Sequence, residues 1–128
     1  MARKAKKPIK KQSSVGKLKS QCVKLAMQQY LAEHPHCELC GAVATTCHHF
    51  ILQSQSNHLK CDKRNLVAIC NPCHCSIHIG NRAQLATILL TQQRGSWWAD
   101  TMETESHIKI KDNMEYWRNK LSDLRGEK

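Results

Sequence analysis

Apolar positions in this chain change their period several times, and each change marks an element. Between about residues 16 and 33, Leu18, Cys22, Leu25 and Gln29 recur along one face, with Ala26 and Tyr30 beside it. That spacing predicts an amphipathic helix, with Lys17, Lys19 and Lys24 on its outer surface, and Pro35 sets its exit. Residues 44–52 (ATTCHHFIL) are rich in β-branched and aromatic side chains and read as a strand; residues 66–69 (LVAI) read as a second, shorter one. The polar residues 53–64 make the loop between them. The expected product is a hairpin with Asn65 at the start of its second strand.

Helical spacing then resumes. Asn71-Pro72 is a helix-start signal, with Asn71 as cap and Pro72 at the first helical position. This helix is expected to reach about Ile79 and end at Gly80. Asn81 can cap the next one, residues 82–93, with Leu85, Ile88 and Leu89 as its buried stripe; Gly95 and Ser96 break it. Trp97-Trp98 follows, with Ser96 as a further cap, and reads as a core plug against the last helix. In that helix, about residues 108–124, Ile110, Met114, Trp117, Leu121 and Leu124 step by four, three, four and three. Trp117 and its stripe read as core rather than as a dimer seam. The fold class is α+β, mostly helical, with an N-terminal helix before the hairpin and two or three helices at the C-terminal end. No internal repeat or long linker is visible.

Charge adds what hydrophobicity cannot. The 128 residues carry a net charge of +10, and nine Lys/Arg fall between Arg3 and Lys24, before the first acid at Glu33. Residues 1–15 (MARKAKKPIKKQSSV) include Pro8 and lack apolar periodicity, so they read as a disordered basic arm. Residues 16–128 then form a single domain. A basic arm on a nearly neutral body suits a polyanion, most often nucleic acid. Hydrophobic residues make up 41% of the chain and only six are aromatic, so the core is small and a structural metal would supply what it lacks.

Eight cysteines in so short a chain fit either disulfides or metal. The basic N-terminus has no apolar signal region and the cysteines come in Cys-x2-Cys pairs, which together suggest a reducing, cytoplasmic setting. No apolar run approaches membrane-spanning length. Cys37, Cys40, Cys70 and Cys73 form two such pairs, the first in a tight knuckle whose turn Gly41 eases. Four thiolates close a tetrahedron around Zn²⁺, leaving no open position, so this ion is expected to be structural. Cys22 and Cys47 read as core. Cys61 lies in the loop near His58, and Cys75 sits on another face of the helix that holds His74 and His78.

His74 and His78 are four apart on a predicted helix and project from one face, so both can grip one ion. His48 and His49 are neighbours on a strand and point to opposite faces. One can join the helical pair on the metal; the other is free to act on water. His34, His36, His58 and His107 read as surface residues.

In order and spacing, His48-His49, Asn65 and His74-x3-His78 resemble the HNH, or ββα-metal, nuclease motif, and in particular its colicin-DNase branch. The four-cysteine frame resembles the zinc-bearing HNH proteins of phages and restriction systems. The likeness covers about residues 36–80, and residues 81–128 would be a C-terminal helical extension. More loosely, the flanking layout is similar to the phage NinG/Rap recombination nucleases, from which the chain departs by placing His48 before His49 and by its His-x3-His.

The resemblance implies that His49 is the general base, that His48, His74 and His78 hold a catalytic divalent ion (Mg²⁺, Mn²⁺, Ni²⁺ or Zn²⁺), and that Asn65 braces the hairpin and orients His49. It implies DNA as substrate, contact on the minor-groove side, and products with 5′-phosphate and 3′-hydroxyl ends; nothing in the sequence recognisably reads base edges, so low sequence specificity is expected. Arg3, Lys4, Lys6, Lys7, Lys10, Lys11, Lys17 and Lys19 would add nonspecific affinity. The competing expectations are a noncatalytic zinc-stabilised DNA-binding module and a nuclease subunit of a larger complex. A homodimer or a phage-encoded protein would then be the partner.

Overall fold

A two-stranded antiparallel hairpin stands between the two halves of the chain. The computed structural model describes residues 14–127. In order they form α1 (Ser14–Glu33), β1 (Thr46–His49), a single 3-10 turn (Lys63–Asn65), β2 (Leu66–Ile69), α2 (Asn71–His78), α3 (Ala83–Arg94), α4 (Ser96–Glu105) and α5 (Met114–Arg125). The architecture is α+β and mostly helical. None of the described helices is long and apolar enough to cross a membrane. Of the expected basic arm, Arg3, Lys4, Lys6, Lys7, Lys10 and Lys11 lie outside the described residues. Ser14 and Val15, expected in the arm, already belong to α1.

The hairpin pairs Thr46 with Ile69, Cys47 with Ala68, His48 with Val67 and His49 with Leu66. Because side chains alternate along a strand, this register splits two packing faces. Cys47, Leu66 and Ala68 face a core with Cys22, Ala26 and Tyr30 of α1 and with Trp117 and Leu121 of α5. Val67, on the other face, packs with Leu59, Leu90, Trp98 and Met102. Helices α1 and α5 are tied by Gln29 Nε2 donating to Leu124 O at 2.8 Å, and Lys19 Nζ of α1 reaches Asp112 Oδ2, in the segment before α5, at 2.6 Å. Trp117 is fully buried in this packing, so it is core and not a dimer seam.

Several boundaries differ from expectation. β1 is shorter than residues 44–52 because Asn65 captures the chain just past it: Phe50 N donates to Asn65 O, and Ile51 N donates to Asn65 Oδ1. Asn65 itself closes the 3-10 turn rather than opening β2. Cys70, not Asn71, caps α2, since the Asn71 side chain is engaged by Thr45 Oγ1. Arg82, not Asn81, caps α3.

The buried face of α3 is also corrected. Ala86 and Leu90 are buried, whereas Leu85 and Ile88 are 46% and 49% exposed. Trp98 and Met102 of α4 approach from the side of Leu90, and this places the core against that face. Ser96 begins α4 instead of capping it; the cap is Gly95, whose φ of 95° suits glycine. Trp98 is buried, though against Leu59, Val67, Leu90 and Met102 rather than against the last helix, and Trp97 is 67% exposed. The last helix starts at Met114, because the Asn113 side chain caps it by accepting from Tyr116 N. Ile110 packs against the core from the segment before it.

Candidate metal centres

The first centre is built on the knuckle after α1. Cys37 N donates to Ala42 O at 2.6 Å and Gly41 N to Cys37 O at 2.9 Å, closing the turn with Gly41 at a φ of 82°. This presents Cys37 and Cys40 towards Cys70, at the end of β2, and Cys73, in the first turn of α2. One sulfur from each lies within 4.8 Å of all the others, and Cys40 and Cys70 Sγ are 3.6 Å apart. A tetrahedron with Zn–S bonds of about 2.3 Å has edges of roughly 3.8 Å. All eight cysteines are free thiols. The four could therefore hold a zinc ion with little movement. Burial opposes ionisation of Cys37, yet the backbone amides of Cys70, Cys40 and Leu39 outweigh it and draw its thiol down to about 7. Thiolate is the ligand form.

One residue inside the knuckle was missed by sequence reasoning. Glu38 accepts from Tyr30 Oη at 2.8 Å, from Ala68 N at 2.7 Å and from Arg94 Nη2 at 2.7 Å. Arg94 also donates to the carbonyls of Leu66 and Arg64 and lies 4.6 Å over the Trp98 ring. This network joins the knuckle to α1, β2, α3 and α4. Arg94 lies 56 residues from Glu38, and no local pattern announces such a pairing.

The second centre joins the hairpin to α2. The helical pitch puts His74 and His78 on one face, and their Nε2 atoms are 3.0 Å apart. The ring of His48 sits 5.4 Å from that of His74 and 5.2 Å from that of His78, centre to centre. One nitrogen from each ring falls within 4.8 Å of the other two. Two nitrogens about 2.0–2.1 Å from one tetrahedral ion stand roughly 3.3 Å apart, so the donor set fits a divalent ion. Burial, reinforced by the charges His74, His78 and His49 would carry, lowers the His48 pKa to about 4. Burial and His78 likewise lower that of His74. Both rings are then neutral near pH 7, the form that ligates metal. A hollow of about 360 Å³, lined by His48, His78, Phe50 and Gln55, opens beside them.

The register places His49 on the opposite face from His48, as the strand period implies. It is not brought to the three histidines. Its ring is buried, and its Nε2 donates to Lys60 O at 3.0 Å, which leaves Nδ1 as the basic atom. Burial lowers its pKa. Asn65 is fully buried and braces the loop: Oδ1 accepts from Ile51 N at 2.7 Å, and Nδ2 donates to Ile51 O at 2.9 Å and Leu59 O at 3.3 Å. The loop it pins carries the Lys60 carbonyl that holds His49.

The remaining candidates separate. Lys17 is exposed, while Lys19 is engaged by Asp112 and lies 5.6 Å over the Trp117 ring. His58, expected at the surface, is partly buried and bonds Glu105 at 2.9 Å, which Arg64 also grips. Cys61 is buried in the core with Cys22.

No protein-family model matches the chain, and neither does any curated protein or any solved structure.

Proposed function

We propose that the protein is a metal-dependent DNA endonuclease of the HNH type, hydrolysing or nicking phosphodiester bonds with low sequence specificity. The observation that carries this reading is the convergence of His48, from the hairpin, with His74 and His78, from α2. Three imidazoles beside an open hollow are a set suited to catalysis, whereas a structural site is closed by four ligands. A divalent ion held there would supply Lewis-acid stabilisation of charge developing on the phosphate and on the leaving oxygen.

The chain's own residues supply the rest. Lys60 O fixes the His49 tautomer, so Nδ1 can take the proton from an attacking water. The water oxygen bonds to phosphorus as the bond to the 3′ oxygen breaks, and the departing 3′ oxygen takes a proton from solvent water, giving 5′-phosphate and 3′-hydroxyl ends. Asn65 is a positioning residue: it holds the loop that holds His49. The four-cysteine zinc would tie the knuckle before the hairpin to the helix after it, keeping His48 in register with His74 and His78.

The opposite-face placement of His49 favours a second reading, a noncatalytic zinc-stabilised DNA-binding module. Plasmid nicking with Mg²⁺, Mn²⁺, Ni²⁺ or Zn²⁺ decides between them. The nuclease reading expects nicking by the wild type and loss of it in His49→Ala and in His74→Ala, with DNA binding retained. If the wild type binds DNA and nicks under none of these metals, the binding-module reading replaces it.

A further inference from the structure

Three hollows on this molecule adjoin one another. The one beside His48 and His78 shares Gln55 with a second, of about 220 Å³, bounded by Gln53, Ser54, Ser56 and Asn57. The second shares Gln53 with a third, of about 320 Å³, between α1 and the loop, where Lys19, Lys24 and Lys60 meet. The path therefore leaves the α2 face of the hairpin, rounds the end of β1 and arrives on the α1 face. Lys60 contributes twice: its carbonyl holds His49, and its side chain lines the third hollow.

We infer that this path is a binding track for one nucleic-acid strand: a phosphate near His48 and His78, neutral sugar and base edges against Gln55 and Gln53, and flanking phosphates at Lys24 and Lys60. The inference deepens the endonuclease reading and rests on it for the ligand's identity.

Charge complementarity supports it. The chain has ten Asp and Glu residues, yet none lines any of the three hollows, whereas Lys19, Lys24, Lys60 and Lys109 do. The middle stretch offers mostly amides and hydroxyls, which both donate and accept, with Lys109 its one charged residue. That order, anion-directed ends joined by a mainly amide and hydroxyl stretch with one further lysine and no acid, suits a polymer of phosphates separated by hydrogen-bonding groups. The lysines also crowd one another: burial, with the positive charge of Lys19, lowers the Lys60 pKa. A phosphate between them would relieve that repulsion. Lys19 is partly neutralised by Asp112, so Lys24 and Lys60 carry the contact. The track also leads the strand past the end of β1, where His49 sits on the face away from the other histidines.

The test uses the full chain loaded with one equivalent of zinc, for the four cysteines, and no further divalent metal, so that binding is read apart from cleavage. Affinity for a short fluorescent duplex is measured against salt for the wild type, for Lys24→Gln/Lys60→Gln, and for Lys63→Gln/Lys111→Gln, which removes the same charge off the track. Each lost phosphate contact lowers the steepness of log K against log salt by about 0.9, so the track variant should lose about 1–2 and the control much less. Single methylphosphonates placed along the duplex should weaken wild-type binding at flanking positions, and these effects should vanish in the track variant. Lys24→Gln alone, at an exposed position, serves if the double variant does not fold.

Equal losses in track and control variants overturn the inference. So does a methylphosphonate pattern that the variants leave unchanged, the result expected if only free phosphate binds there. If the track variants behave as expected while the wild type never nicks DNA, the track stands and the nuclease reading falls.

Discussion

Replacing Asn65 with alanine should destabilise the fold and disable the candidate site together. The side chain is fully buried and makes three hydrogen bonds, two to Ile51 and one to Leu59. Alanine strands one N–H and two carbonyls. A buried group left unpaired costs about 1–3 kcal/mol. Ile51 is only partly buried and the Leu59 contact is long at 3.3 Å, so the sum falls towards the low end, roughly 2–4 kcal/mol. Domains of this size have about 5–15 kcal/mol to lose, and the melting temperature should drop by roughly 10 °C.

Thermal and urea unfolding with zinc saturating would measure this loss. Nicking assayed well below the variant's melting temperature should fall at least about tenfold, because the Lys60 carbonyl no longer sets the His49 ring. Asn65→Asp should be no better than alanine, since a carboxylate there meets two carbonyl oxygens. An Asn65→Ala protein within about 0.5 kcal/mol of wild type would refute the bracing argument.

Cys70→Ser should abolish tight binding of one zinc equivalent and lower stability sharply, read by metal analysis and circular dichroism, because a structural zinc site is part of the folding free energy. Trp98→Ala should cost about 3–5 kcal/mol, as it removes buried volume, a bond from Nε1 to Arg64 O and the ring beneath Arg94. Trp97→Ala, at an exposed ring, should stay within about 0.5 kcal/mol by the same urea titration. The folded His48 pKa of about 4 against an ordinary 6.5 means that the unfolded chain binds the proton first. Stability from this group is therefore complete above about 6.5 and is lost as pH falls towards 4. The loss is about 3 kcal/mol, and it should flatten in His48→Gln when unfolding is followed across that window with one equivalent of zinc.

Much of the local chemistry was legible in the residues themselves. Two Cys-x2-Cys pairs, a His-x3-His on a helix and two histidines on a strand are constrained by covalent spacing and by periods of 3.6 and 2. The cysteines accordingly gather, His74 and His78 share a face, and His48 and His49 part company. What belongs to tertiary structure is every choice between surfaces that are locally alike. Leu85, Ile88 and Leu89 make as plausible a stripe on α3 as Ala86 and Leu90, and only the approach of Trp98 and Met102 selects the second. Likewise, Trp97 and Trp98 are identical in sequence terms; Arg94 and the Arg64 carbonyl take one and leave the other to water. Glu38, a routine surface residue on its own, gains its role from partners 8, 30 and 56 positions away. Short-range order follows from bond geometry and spacing, but burial is a property of pairs of surfaces, and a pair does not exist until the chain has folded back on itself.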